Sequence, residues 1–333
     1  MDGLIDEQVN LIVTLRLCHK GVEVALTEPS KHSIILSLPP LVKKLRHKQF
    51  FEDPAFRLRA MRIARHGAMS DPHCHDFDEL VVVVDGHGKH FVGSETYDLG
   101  AGDVFVILQG MSHCYPETKD FSLINIIYDT DQIRMPRADL RTVSGYQALF
   151  ELEPRLRARS HFKNRLKLSL EELGKMLKIV AELEEELNGN TPGHRFVATA
   201  HFMRLIGWLS RAYSKLPRDE PRSVTQISRV LGYIEANYTG PLSVETLSRV
   251  AGMSQSSLFR TFQQILGRSP IDHVMHLRME KATRLLARTR MRVGEISYSV
   301  GFNDSNYFTR QFRAAYGCSP REYREREGHA SEI

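Results

Sequence analysis

Cysteine is scarce in this chain. Four residues in 333, Cys18, Cys74, Cys114 and Cys318, are too few and too scattered for a disulfide scaffold, and a reducing, cytoplasmic compartment is expected. Long apolar runs are also missing. The stretch from Val9 to Leu17 is interrupted by Asn10 and Arg16 and preceded by Asp2, Asp6 and Glu7 rather than by basic residues, so neither a signal peptide nor a membrane span is expected. No charge of one sign dominates, with 45 Lys/Arg against 40 Asp/Glu. A hydrophobic share of 42%, a charged share of 26% and a mean hydropathy of -0.30 are ordinary globular values. They exclude a collagenous, largely disordered or integral-membrane chain. At about 100–200 residues per domain, the length predicts two domains.

The charge is unevenly placed. From Arg222 onward there are 16 Lys/Arg and 10 Asp/Glu, whereas the preceding residues carry 29 and 30. A basic last third on a neutral remainder is the electrostatic footprint expected of a nucleic-acid-binding module. The competing reading is a solvated basic surface.

Three composition regimes follow one another. Between Phe50 and Tyr128 short apolar runs (Glu79–Val84, Lys89–Val92, Val104–Leu108, Leu123–Tyr128) alternate with turn signals such as Asp85-Gly86 and Gly100-Ala101-Gly102-Asp103. That spacing predicts an all-β sandwich or barrel. From Arg165 the period becomes helical: Leu166, Leu170, Leu173, Leu177, Val180 and Leu187 share one rhythm, and a second helix runs from about Arg195 to Tyr213. This pair either forms a dimer seam or packs on the β domain. Pro217 and Pro221, in the charged Ser214–Ser223 stretch, read as a linker.

Past the linker, Ser243 precedes Val244, Leu247, Val250 and Ala251 on one helix face; Gly252 permits a tight turn; Ser254 caps a next helix with Leu258, Phe259, Phe262 and Leu266 inward. This is a helix-turn-helix pattern. A second copy runs from Val293 through Gly301-Phe302-Asn303 to Tyr316, with Phe308, Phe312 and Tyr316 inward. The predicted connecting helix, Ile271–Ala287, is about 25 Å long at about 1.5 Å per residue. With the widths of the helix pairs added, it approaches the roughly 34 Å between successive major grooves.

The string Gly267-Arg-Ser-Pro270, Arg278, Lys281-Ala282, Leu285-Leu286, Glu295-Ile296, Gly301-Phe302-Asn303-Asp304-Ser305-Asn306-Tyr307-Phe308, Phe312-Arg313, Gly317-Cys318-Ser319-Pro320 and Tyr323-Arg324 closely resembles the signature of the arabinose-regulator (AraC/XylS) family. Ser297 departs from the family's usual Ala. The resemblance covers about 100 residues and implies that the exposed side of each second helix enters the major groove. The positions it implies are Gln255, Ser256, Ser257, Arg260, Thr261 and Gln264 in the first copy, and Asp304, Ser305, Asn306, Arg310 and Arg313 in the second. Arg260 suits guanine O6/N7 and Asn306 adenine N6/N7. Arg310 and Arg313 suit phosphate. For each arginine taken singly, the plain alternative is a solvated helix face. Phe259, Phe262, Phe308 and Phe312 are expected in the core.

Upstream, Gly67-x5-His73-x-His75-x3-Glu79-x6-Gly86 resembles the first motif of the cupin barrels. Gly102, Gly110 and His113 keep register with the second, in which Leu108 and Glu117 are departures. The resemblance makes His73, His75, Glu79 and His113 a complete set of the ligand types that cupin enzymes place around a metal. Alternate strand residues share a face, so His73 and His75 can point inward together, and imidazole with carboxylate suits a divalent ion. The same barrel is the effector domain of sugar-responsive regulators, where His and Glu hold a sugar by hydrogen bonds. The segment His75–Val83, with Asn125–Tyr128 downstream, is similar to that of the rhamnose-responsive members. Effector binding without metal, a metal-assisted site and purely structural histidines are the three readings. His87 and His90 are expected to be exposed or strand-facing, and the thiols of Cys74 and Cys114 to point away from the site.

The expected fold is α+β and multidomain: residues 1–44 an extension outside the resemblance, 45–150 a cupin (jelly-roll) β-barrel sensor, 160–215 a helical linker or dimerisation region, and 223–326 an all-α module with two helix-turn-helix motifs. The expected function is transcription activation by a cytoplasmic homodimer that binds promoter DNA and, by family resemblance, RNA polymerase. A monosaccharide such as rhamnose is the expected effector, no cofactor is required, and a divalent metal is allowed in the cupin site. The alternative is a metal-dependent cupin enzyme or a metal-sensing regulator using the same four ligands.

Overall fold

The computed structural model describes residues 12–18, 21–27, 33–37, 42–130, 132–133, 135–157, 165–215 and 222–330. Strands β1 (Ile12–Cys18), β2 (Gly21–Thr27) and β3 (Ser33–Ser37) form an antiparallel sheet of their own inside the expected extension. Most of the expected linker, residues 216–221, lies outside the described residues.

Eight strands make the main sheet: β4 (Lys43–Leu45), β5 (Leu58–Ile63), β6 (Met69–His75), β7 (Asp78–Val92), β8 (Glu95–Gly100), β9 (Asp103–Ile107), β10 (His113–Tyr128) and β11 (Leu166–Lys167). The path is β11-β9-β7-β10-β6-β4, with β5 added to β10 and β8 to β7. Its centre is nearly continuous in Val, Ile, Leu and Phe because both faces are covered. Register sorts the faces, since directly paired residues point the same way. Glu79 pairs with Ile107 and Ile127, Val81 with Phe105 and Asn125, and Val83 with Leu123, so these side chains share the interior face. Leu80, Val82, Val104, Val106, Ile124 and Ile126 take the other face, in one buried cluster with the following helices.

Those helices are α1 (Leu170–Asn188) and α2 (His194–Ser214), preceded by short helical turns from Arg137 to Arg157. Ser169 caps α1 by accepting from Glu172 N, and the Glu172 side chain accepts from Ser169 N in return. The buried stripe of α1 is Leu173, Met176, Ile179, Val180 and Leu183. It therefore differs from the seam expected from the leucine spacing: Leu166 lies in β11, and Leu170 is 86% exposed. The 3.6-residue rhythm was shared by two stripes, and only packing on α2 and the sheet selects between them.

The C-terminal module comprises α3 (Arg222–Asn237), α4 (Val244–Ala251), α5 (Gln255–Leu266), α6 (Pro270–Arg288), α7 (Val293–Ser299), α8 (Ser305–Tyr316) and α9 (Pro320–Ala330). Ser243, Ser254 and Ser269 cap α4, α5 and α6. Gly252 and Gly301 adopt φ of +64° and +93° in the two inter-helix turns, a region open to glycine at little cost. A Cβ on Gly301 would meet the Tyr238 carbonyl oxygen at 2.6 Å. Among the described residues no helix is long and apolar enough to cross a membrane.

Candidate functional site

Two constellations can bear function. The first lies on the interior face of the main sheet. His73 and His113 are register partners on β6 and β10, and His75 ends β6. His75, Glu79 and His113 are buried and bring one ligand atom each within 4.8 Å of one another. Glu79 Oε2 stands 3.0 Å from His75 Nε2 and 3.9 Å from His113 Nε2. His73 is outside this group of three. Its ring lies against that of His113, centroids 4.2 Å apart, so the expected four-ligand set is reduced to three.

The second ring nitrogen of each histidine in the group is fixed. His75 Nδ1 lies 2.6 Å from the carbonyl oxygen of Phe77 and His113 Nδ1 lies 3.3 Å from that of Met111. A carbonyl only accepts, so each Nδ1 is the donor and each Nε2 is turned to Glu79. Burial opposes charge on His75, yet the neighbouring Glu79 carboxylate holds its pKa above the ordinary value. Burial pushes His113 down to about 3. Burial also acts to raise the carboxyl of Glu79, but the contact with His75 outweighs it and the pKa is lowered.

Of the two expectations for His90, exposed or strand-facing, the structure removes the first: it lies in β7, turned to the interior. It is 1% exposed, its ring sits 5.6 Å from that of His113 and 5.0 Å from that of Tyr115, and burial takes its pKa down to about 3. The turn signal at Asp85-Gly86 does not end the strand: β7 continues to Val92 and carries His90 inward. Tyr115, which no motif marked, and Asn125 are also interior. The Tyr115 hydroxyl, Asn125 Oδ1, both nitrogens of His90 and Nδ1 of His73 are buried with no hydrogen-bond partner among the described residues. Unpaired buried polar atoms at this density call for a polar occupant. A cavity of about 250 Å³ bounded by Leu45, Arg46, Cys74, His75, Asp76 and Gln109 opens beside the cluster. Cys74 and Cys114 are buried and belong to none of the three-residue ligand clusters among the described residues.

The second constellation is the outer face of the helix pairs. On α5, Gln255, Ser256 and Arg260 are exposed, together with Gln263, which stands three residues after Arg260 and was missed. Ser257 is half-buried and accepts from the Ser254 hydroxyl. Thr261 and Gln264 border a cavity of about 860 Å³ between this module and Arg141, Glu151 and Leu152 of the preceding domain. Phe259 is a correction: it is 51% exposed, while Leu258 and Phe262 fill the core. Residue 259 sits one step beyond the buried stripe, where hydrophobicity alone cannot reveal its direction. On α8, Asn306, Arg310 and Arg313 are exposed and Ser305 is half-buried. Asp304 serves as the cap of α8, accepting from Asn306 N and Tyr307 N. Exposed Tyr307 carries the Arg310 guanidinium 5.8 Å from its ring centre. Tyr316, expected inward, is 36% exposed.

Arg141 links the two halves. Its guanidinium lies 3.6 Å from Glu235 on α3 and 4.0 Å from Glu280 on α6, while Glu151 is 3.7 Å away. His273, on α6 beside the larger cavity, is brought down to about 4 by burial, with Arg268, His276 and Arg155 acting in the same direction. Folded His273 stays neutral where the unfolded chain's histidine is protonated, so its contribution is complete above about pH 6.5 and is lost as pH falls toward 4. The His273→Gln variant is expected to lose less stability than wild type between about pH 7 and pH 5, read from urea midpoints. Parallel losses would show that His273 does not carry this term.

Residues 59–206 match the family described as AraC-like ligand binding domain, and residues 247–326 the family described as helix-turn-helix domain. The chain is 29% identical over 254 residues to the HTH-type transcriptional activator RhaS of Enterobacter sp. (strain 638), covering 76% of this chain and 87% of the relative. It is likewise 29% identical over 262 residues to RhaS of Escherichia fergusonii, covering 78% and 88%. Among solved structures it is similar to a probable AraC family transcriptional regulator from Rhodopseudomonas palustris CGA009, at 32% identity over 31% of this chain and 96% of the other, with a TM-score of 0.29.

Proposed function

The chain belongs to the AraC family of transcription regulators, and from that premise we propose that it activates transcription when a polyhydroxylated small molecule, a monosaccharide by analogy with the RhaS relatives, occupies the interior of the N-terminal sheet. It is not an enzyme, since the family matches and relatives are regulators; the metalloenzyme alternative is not favoured. The observation that carries the effector reading is the buried set of unpaired donors and acceptors on His73, His90, Tyr115 and Asn125, next to His75, Glu79 and His113. Sugar hydroxyls both donate and accept, so one ligand satisfies groups of both kinds.

Ligand binding alters DNA binding only by favouring one arrangement of the halves over the other. Arg141, which reaches Glu235 and Glu280 from the segment after β10, is the contact through which we route that coupling. In this proposal a homodimer, joined through the α1–α2 region, occupies two promoter half-sites and engages RNA polymerase.

Two expected results test the reading. In a titration calorimetry screen of monosaccharides, His75→Ala should abolish the heat seen with wild type while gel-shift affinity for promoter duplex, without effector, stays unchanged; unfolding of the variant by circular dichroism would instead make His75 structural. Arg260→Ala should weaken specific binding by about 1–3 kcal/mol. Unchanged affinity at fixed salt would remove Arg260 from the reading face.

A further inference from the structure

We propose that the cleft between the segment after β10 and the C-terminal half of α6 binds a small organic polyanion, a phosphorylated metabolite with at least two negative charges. The cleft is a cavity of about 800 Å³ with Arg137 and Arg141 on one wall and Lys281, Arg284 and Arg288 on the other. Among the described residues no carboxylate lines it. Lys281, Arg284 and Arg288 recur at three- and four-residue steps, which puts them on one side of α6.

The carboxylates that answer these cations belong to the other cavity of the seam. Glu235 stands 3.6 Å from Arg141 and 2.9 Å from Lys281, and Glu280 pairs with Arg284. Glu151, Glu235 and Glu280 all border the larger cavity, and Arg141 borders both. The seam is therefore polarised, with acidic groups toward one cavity and cations alone toward the other. Arg137 and Arg288 form no ion pair among the described residues. Two positive charges thus stand unanswered in a cleft whose low-dielectric walls concentrate their field, and a dianion offsets them. Guanidinium forks match phosphoryl oxygens two at a time, and Lys281 adds a point charge. Ile133 and Met135 on the first wall give the carbon frame of an organic ligand an apolar surface. A DNA backbone is convex and would reach one wall only. The cleft shares no residue with the His75, Glu79 and His113 cluster or its unpaired neighbours, so this ligand is not the effector of the interior site. Because it touches both halves, it favours the arrangement in which they meet.

Full-length protein is titrated by calorimetry with fructose bisphosphate and with inorganic pyrophosphate at about 0.15 M salt, where long-range attraction is screened. One saturable equivalent is expected for each, with the sugar bisphosphate the tighter. Arg288→Gln and Arg137→Gln should each weaken binding about tenfold, the loss of one charge-assisted contact, and Arg288→Lys should recover part of it. Lys178→Gln, at an exposed cation of α1 outside the cleft, should leave it unchanged. Arg288 is exposed, so its variants keep the fold even if Arg137→Gln does not. Heats that fail to saturate in folded wild type overturn the proposal, as does an equal loss in Lys178→Gln and Arg288→Gln. Tighter binding of pyrophosphate than of the sugar bisphosphate would make the cleft an inorganic-ion site. A tenfold loss of affinity for random-sequence duplex in Arg288→Gln would make it a DNA-backbone contact instead. The interior site takes no part in these comparisons, so failure here leaves the regulator reading standing.

Discussion

Replacing Phe312 by Ala is expected to destabilise the C-terminal module by about 3–5 kcal/mol, the usual cost of deleting a buried aromatic ring. Phe312 is fully buried on α8. It packs 5.7 Å from Phe308, 4.7 Å from Tyr316 and 5.5 Å from Tyr323, ring centre to ring centre. This second helix pair rests on its own cluster, which includes Met279, Leu286, Ile296, Val300 and Phe302, so nothing else fills the hole. Against a typical domain stability of about 5–15 kcal/mol, much of the margin disappears. With a urea slope of about 1–3 kcal/mol per molar, the midpoint of helix loss should fall by roughly 1–5 M. Phe259→Ala is the matched control. Truncating half-exposed Phe259 should change the stability by no more than about 0.5 kcal/mol. Equal shifts for the two variants would contradict the assignment of Phe259 to the outer face.

Arg278→Ala is expected to cost about 2–4 kcal/mol and to reduce DNA binding beyond what lost charge explains. Arg278 Nε donates to Tyr238 O at 2.8 Å and Nη2 to Gly240 O at 2.7 Å, while the guanidinium lies 5.6 Å from the Phe302 ring centre. One side chain thus clamps the turn after α3 to α6 and to the turn of the second helix pair, where any Cβ at position 301 would run into the same Tyr238 carbonyl. Hydrogen bonds from a charged donor contribute about 1.5–3 kcal/mol each, and two sharing a donor add to less than their sum. The clamp holds the two helix pairs at one spacing, which a duplex with two successive grooves requires. Arg278→Lys should recover part of the stability at most, because one ammonium cannot reproduce the guanidinium fork. Full recovery of stability and of gel-shift affinity by Lys would show that charge alone matters.

Much of this was legible because the signals are local. The caps Ser243, Ser254 and Ser269 accept from backbone N–H groups three residues ahead, and the glycines at 252 and 301 occupy turns that need positive φ. Such features depend on a few neighbouring residues, so the double helix-turn-helix could be placed with its connecting helix at Ile271–Ala287, one residue short at each end of the observed Pro270–Arg288. The parity of His73 and His75 on one strand is equally local, as is the distance from Glu79 to His75.

Other features depend on which surface comes to lie against which, and only tertiary structure settles that. Periodicity groups Leu166, Leu170 and Leu173 but is silent about which face meets α2, and the stripe actually buried leaves Leu170 in solvent. Phe259 borders a buried stripe and faces outward. His90 follows the turn signal Asp85-Gly86 yet faces inward, because β10 pairs with β7 as far as Val92. His73 carries the motif spacing but stands beside His113 rather than within the ligand group. Local residue order is enough to set helix ends, strand parity and the polar residue types available to the site. Tertiary structure decided which of those groups lose their water, since burial and pKa depend on partners contributed by residues far away in the chain.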